Sequence, residues 1–264
     1  MPLIERNGVH VYYEIFGHGP PLVLLHSLST NRYVWANQLF AFARDHRVLV
    51  VDHRGHGLSD APATGYAIAE MAADLVAVLD HAAVDRAVLV GSSAGGMIAV
   101  QAALDAPARV RAMMLVSCAT NLAPAIPPEV LRAYEARFEQ AFDYMIGGAI
   151  SARTKRDRPE VGAFLADVYR VKGSFSREVF LECIRDPAGV FNWNVAERLN
   201  EIRLPALVIS GQEDRAVPIE ATAFLARELH AEHRVVPDVG HHYQLESPAD
   251  FNADLRAFLN RAGA

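Results

Sequence analysis

Cysteine is nearly absent, with Cys118 and Cys183 the only two in 264 residues. Neither has a partner at metal-ligand spacing, so the chain has no disulfide framework or zinc motif, and both read as buried free thiols. Lysine is equally scarce, occurring only at 155 and 172, so arginine carries the basic charge and the formal net charge is −6. That balance lacks the clustered positive surface that phosphate backbones select, which excludes a general nucleic-acid-binding role. No apolar run approaches the roughly 18 residues of a membrane span. The opening Met-Pro-Leu-Ile-Glu-Arg-Asn-Gly lacks the basic and apolar regions of a secretory signal. The expectation is a cytoplasmic protein that touches no membrane. Internal repeats and low-complexity tracts are missing as well, which excludes solenoids and disordered tails.

What remains is an ordinary globular composition with short apolar runs bounded by turn residues. These fall at Pro21 to Leu25, Arg47 to Asp52, Ala87 to Gly91, Ala112 to Ser117, Ala206 to Ser210 and Arg234 to Val236. Runs of this length suit strands buried on both faces of a parallel sheet. Helical patterns separate them at Asn31 to Arg44, Ala67 to His81, Ala94 to Asp105, Ile219 to Leu229 and Pro248 to Leu259. Regular alternation of strand and helix predicts an α/β fold, an open and mainly parallel sheet with helices on both faces. At the front, Val9 to Ile15 alternates in polarity and suits an antiparallel edge hairpin with Leu3 to Arg6.

The alternation stops between about 121 and 202, where Pro124, Pro127 and Pro128 open a stretch of helical segments. This stretch is expected to form a helical cap inserted into a core made of residues 1–120 and 203–264. Its aromatics, Tyr134, Phe138, Phe142, Phe164, Tyr169, Phe175 and Phe180, read as packing residues. The basic run Ser151 to Arg158 reads as a solvated helix end.

Chemistry concentrates at Gly91-Ser92-Ser93-Ala94-Gly95-Gly96, between a strand and a helix. A Gly-x-Ser-x-Gly string there builds a sharp, strained turn that lifts the Ser93 hydroxyl above the sheet. Side chains at 91 and 95 would collide with the neighbouring helix and strand. Ser92 lacks glycine at both minus two and plus two, so Ser93 is the candidate nucleophile. A serine hydroxyl needs a base near neutrality, and a neutral imidazole suits the task. Of eleven histidines, His241 and its neighbour His242 lie on a loop between the last strand and the last helix. An acid that orients the imidazole is available at Asp214, in the turn after Ala206 to Ser210, with Glu213 as the near alternative. An oxyanion would be held by two backbone amides. Ala94, following the nucleophile, supplies one, and Leu28 in the loop after Pro21 to Leu25 is the best second donor, with His26 bracing that loop.

Together His26-Ser27-Leu28, Asp52-His-Arg-Gly-His-Gly-Leu-Ser-Asp60, Gly91 to Gly96, Gly211 to Asp214 and Gly240-His241 resemble the α/β-hydrolase superfamily over essentially the whole chain. The His-Ser-Leu-Ser-Thr loop followed by Trp35 is most similar to the 3-oxoadipate enol-lactonase and esterase group. That resemblance implies the chain order serine, acid, histidine. It also favours His241 over His242, because the family histidine precedes a Glu by five residues and a Pro by seven, as His241 precedes Glu246 and Pro248. The expected activity is hydrolysis of a small carboxylic ester or lactone through an acyl-enzyme on Ser93. The alternatives are a carbon-carbon bond hydrolase of a vinylogous diketone, a cofactor-free perhydrolase or haloperoxidase, and a non-catalytic small-molecule receptor. Two departures from the family pattern stand out. Ser27 replaces a glycine, and the small Ala94 replaces Met or Gln, which enlarges the acyl pocket. Ser27, Trp193 and Val217 are the expected substrate contacts. No metal or organic cofactor is called for, the partner is a small-molecule substrate, and a homo-oligomer is left open.

Overall fold

The computed structural model describes residues 2–122, 128–170 and 176–263. Pro124, Pro127 and Phe175 lie outside the described residues, as do the side chains of Tyr134 and Phe142. Eight strands, β1 (Leu3–Arg6), β2 (Val9–Phe16), β3 (Pro21–Leu25), β4 (Arg47–Val51), β5 (Ala87–Ser92), β6 (Val110–Val116), β7 (Ala206–Gly211) and β8 (Glu232–Val236), form one sheet in the order β1-β2-β4-β3-β5-β6-β7-β8. β2 pairs antiparallel with both β1 and β4, and all other pairings are parallel. The segments that follow β3 to β8 therefore emerge along one edge of the sheet, where ligands of open α/β sheets bind.

Alternate residues of the central strands feed two apolar clusters, one on each face. Val23, Leu49, Leu89, Met113 and Val208 pack with α2 (Ile68–His81), α3 (Ala94–Asp105) and α9 (Ile219–Glu228). Leu24, Val50, Val90, Met114 and Ile209 pack with α1 (Ala36–Phe42) and α11 (Pro248–Arg261). This is the doubly covered sheet that the near-continuous apolar strands predict. The last strand is longer than its apolar run suggests. As the edge strand it begins with Glu232 and His233, and its residues are mostly exposed, so the burial that marks the inner strands is missing there.

Between β6 and β7 run α4 (Pro128–Ala136), α5 (Phe138–Gly148), α6 (Ala152–Asp157), α7 (Pro159–Arg170) and α8 (Arg177–Arg185). A short α10 (Tyr243–Glu246) precedes α11. From α8, Val179 and Cys183 join one core cluster while Phe180 and Ile184 join the other. α8 therefore reaches both core clusters, whereas Val161, Leu165 and Val168 of α7 join only the second. Phe180 is fully buried and packs edge-on against Phe138 and Phe191, a packing role like the one read from the sequence.

One buried ion pair braces the loop after β4. The Arg54 guanidinium grips Asp74 of α2 in a two-point contact of 2.6 and 2.7 Å, with both side chains about 5% exposed or less. Removing one partner of such a pair strands the other charge in the interior. Asp74→Ala should lower unfolding free energy by about 3–5 kcal/mol. Urea denaturation checks this, and a loss below about 1 kcal/mol would show that Arg54 finds other partners.

Candidate active site

Only one residue separates β5 from α3, and it is Ser93, at φ 53° and ψ −117°. A non-glycine residue in this region carries backbone strain, here held by the Ser93 N–H donating to the Val116 carbonyl at 2.8 Å. The turn closes because a Cβ at Gly91 would lie 2.4 Å from the Gly95 carbonyl oxygen, and one at Gly95 would lie 2.2 Å from that of Leu25. The two serines separate cleanly. Ser92 is fully buried with its hydroxyl unpartnered among the described residues, whereas Ser93 keeps 9% of its surface exposed. Ala94 opens α3, so its amide has no intrahelical acceptor. It lies at the positive end of the helix dipole, beside Ser93.

The turns after β7 and β8 meet at the same edge. Gly211 permits their contact, since a Cβ there would stand 2.0 Å from the Gly240 carbonyl oxygen. His241 Nδ1–H donates to Asp214 at 2.9 Å (Oδ2) and 3.1 Å (Oδ1). The Asp214 side chain is fully buried and its Oδ1 also accepts the amides of Ala216 (2.8 Å) and Val217 (3.0 Å). Burial would raise the Asp214 carboxyl, but the charge and hydrogen bond of His241 and the Val217 amide hold it below the ordinary value of 3.8. Burial would likewise depress the His241 imidazole, and the Asp214 carboxylate reverses this, holding it above the ordinary 6.5.

The neighbouring candidates have other work. His242 turns away, with Nε2 3.2 Å from the Tyr169 hydroxyl of α7, and burial together with His241 pushes it down to about 3. The Glu213 carboxylate accepts the Ala152 amide at the start of α6 at 2.8 Å.

The loop after β3 is held by three buried imidazoles, His26, His53 and His56. His26 Nδ1–H donates to the Ser27 carbonyl (2.8 Å) and its Nε2 accepts the His53 amide (3.0 Å). His53 Nε2–H donates to the His26 carbonyl at 3.0 Å. His56 Nδ1–H donates to the Arg54 carbonyl (2.9 Å) and its Nε2 accepts the amide of Ser29 (3.1 Å), a residue at φ 65°. An imidazolium has no lone pair for an amide, so the two accepted amides require His26 and His56 to be neutral. Burial first, then the neighbouring histidine, lowers all three, with His56 at about 3. Of the three, only His26 was expected to brace this loop. The signal for His53 and His56 was their place in Asp52-His-Arg-Gly-His56, two imidazoles beside a buried turn. Leu28, at the tip of the loop, packs against both core clusters, which places it over the sheet edge.

The three expected substrate contacts are differently employed. The Ser27 hydroxyl meets the Thr30 hydroxyl at 3.1 Å within its own loop, because both are buried and need a partner. Trp193 is 4% exposed and its indole N–H donates to Gln101 of α3 at 2.7 Å, which makes it a core residue. Val217 is 2% exposed in the core and contributes through its amide to Asp214. Cys118 and Cys183 are buried free thiols. Among the described residues no group of three or more His, Cys, Asp or Glu side chains could hold a metal ion, and no helix is long and apolar enough to cross a membrane.

The arrangement can deprotonate a hydroxyl and hold the resulting imidazolium. An NMR titration of the imidazoles should place the midpoint of His241 above 6.5, while His56 and His242 stay neutral down to about pH 5. A His241 midpoint at or below 6.5 would contradict its pairing with Asp214.

A family model for the α/β hydrolase fold matches residues 20–248. Among curated proteins, 3-oxoadipate enol-lactonase 2 of Acinetobacter baylyi is 26% identical over 267 residues, covering 98% of this chain and 96% of the other. Among solved structures, one described as Est816, an N-acyl homoserine lactone degrading enzyme, is 48% identical with a TM-score of 0.95, covering 97% of this chain and 100% of that one. The enol-lactonase from Burkholderia xenovorans LB400 is 27% identical with a TM-score of 0.87, covering 98% and 100%.

Proposed function

The chain belongs to the α/β hydrolase fold family, and we propose that it is a serine hydrolase of small carboxylic esters and lactones, with N-acyl homoserine lactones its foremost substrate class. The observation that carries this reading is the buried Asp214–His241 pair at 2.9 Å, on the same sheet edge as the strained Ser93. The substrate class rests on the 48% identity to the structure described as an N-acyl homoserine lactone degrading enzyme.

The proposed reaction is acyl transfer to water. Ser93 Oγ attacks the carbonyl carbon as its proton passes to His241 Nε2, and the Leu28 and Ala94 amides hold the oxyanion. Collapse breaks the C–O bond to the alcohol, which takes the proton from His241. In a lactone this alcohol stays attached to the acyl group. Water, deprotonated by His241, then cleaves the acyl-enzyme and restores the Ser93 hydroxyl. Asp214 keeps the imidazole in the Nδ1–H form and stabilises its cation without taking the proton. The helices between 121 and 202 act as a cap over this edge, and no metal or organic cofactor takes part.

A fluorophosphonate should label the peptide containing Ser93, and the purified protein should turn over N-acyl homoserine lactones and short-chain aryl esters many times per active site. Labelling that persists in Ser93→Ala, or binding without multiple turnovers, would overturn the reading. Cleavage of a vinylogous diketone in preference to every ester and lactone would move the reaction to a carbon-carbon bond.

A further inference from the structure

Glu246 of α10 is 3% exposed, and both its carboxylate oxygens are committed to backbone and side chains around His241. Oε1 accepts the amides on either side of that histidine, Gly240 at 3.0 Å and His242 at 3.3 Å. Oε2 accepts the Ser151 amide at 2.8 Å and the Thr154 hydroxyl at 2.9 Å, both at the start of α6 in the inserted helices. His241 itself donates its amide to the Ala149 carbonyl at 2.8 Å. One buried carboxylate thus clasps the base-bearing loop and the inserted helices together, and no part of the proposed chemistry uses it.

Resting on the proposed Ser93 reaction, we infer that Glu246 is a positioning residue, which sets His241 by locking its loop to the amino end of α6. The bonds are made on both flanks of His241, so the imidazole cannot tilt unless a buried carboxylate loses donors, and an uncompensated carboxylate in the interior is costly. The same contact makes the docking of α6 and the aim of the base one event. On the far side Glu213, beside Asp214, receives the Ala152 amide, so the turns bearing acid and base grip consecutive residues of one helix start.

The charge of Glu246 also acts on His241. The titratable and charged groups around this segment are Asp214 and Glu213 from the turn after β7, and His242 and Glu246 from its own stretch. Tyr169 lies against His242, and Arg158 and Arg153 of the insertion donate to the Leu245 and Glu246 carbonyls and the Ser247 hydroxyl. The negative charge of Glu246 adds to that of Asp214 in holding the imidazole above 6.5. Since the neutral ring is the base, activity rises as pH climbs through the raised value. Losing the Glu246 charge moves that midpoint down.

Glu246→Gln, with matched volume, should lower kcat on a short-chain aryl ester by about 10- to 100-fold, leave KM within about twofold, and shift the kcat/KM midpoint to lower pH. Thr154→Val removes one of the two bonds on the insertion side and keeps the charge. It should lower kcat by about 3- to 10-fold with the midpoint unmoved. A folded Glu246→Gln enzyme with wild-type kcat, or with lowered kcat and an unmoved midpoint, would overturn the proposal. If Glu246→Gln does not fold, wild-type kcat in Thr154→Val overturns it and the stated fall supports it. Turnover retained by Ser93→Ala, assayed alongside, would defeat the underlying reaction. Its loss there with no effect at Glu246 and Thr154 defeats the proposal alone.

Discussion

The contact between the Asp214 carboxylate and the His241 imidazole governs the arrangement around it. A fully buried carboxylate is tolerable only if its charge is met, and here His241 meets it with help from the Ala216 and Val217 amides. The contact in turn requires the turns after β7 and β8 to touch, which is why Gly211 faces the Gly240 carbonyl with no room for a Cβ. Everything else at the sheet edge fits around that closure. Ser93 is held in a strained turn by β6 next door, and the start of α6 docks on both turns, through Glu213 after β7 and Glu246 after β8.

Electrostatics then divides the histidines into two kinds. His241 and His242 are adjacent and buried alike, yet one is raised by the carboxylate it faces and the other is lowered to about 3 by burial beside its neighbour. His26, His53 and His56 follow the second pattern, and neutrality is what lets His26 and His56 accept backbone amides while His53 donates to the His26 carbonyl, holding the loop that bears Leu28. A buried ring is held readily protonatable where a carboxylate faces it and stays a neutral strut where none does.

Much of this was legible in the sequence because the signals were local. Short apolar runs marked the inner strands, and Gly91 to Gly95 at a strand-to-helix junction marked Ser93. A turn after β7 and a late Gly-His pair marked Asp214 and His241. Three kinds of information were not local. The polar start of β8 hides an edge strand, since only inner strands are apolar on both faces. The partner of Trp193, Gln101, lies ninety-two residues away in the chain and is set by a rotamer that spacing does not encode. Glu246 was visible as a spacing from His241, but its role lies in contacts with Ser151 and Thr154, more than ninety residues away in the chain.

The central claim is that Asp214, and not the carboxylate next to it, orients the base. Steady-state turnover of a short-chain aryl ester by Asp214→Asn and Glu213→Gln tests it most directly. Asp214→Asn should lose about four orders of magnitude in kcat while Glu213→Gln loses less than about tenfold. Comparable losses in the two variants, or a near-normal kcat in Asp214→Asn, would contradict the account.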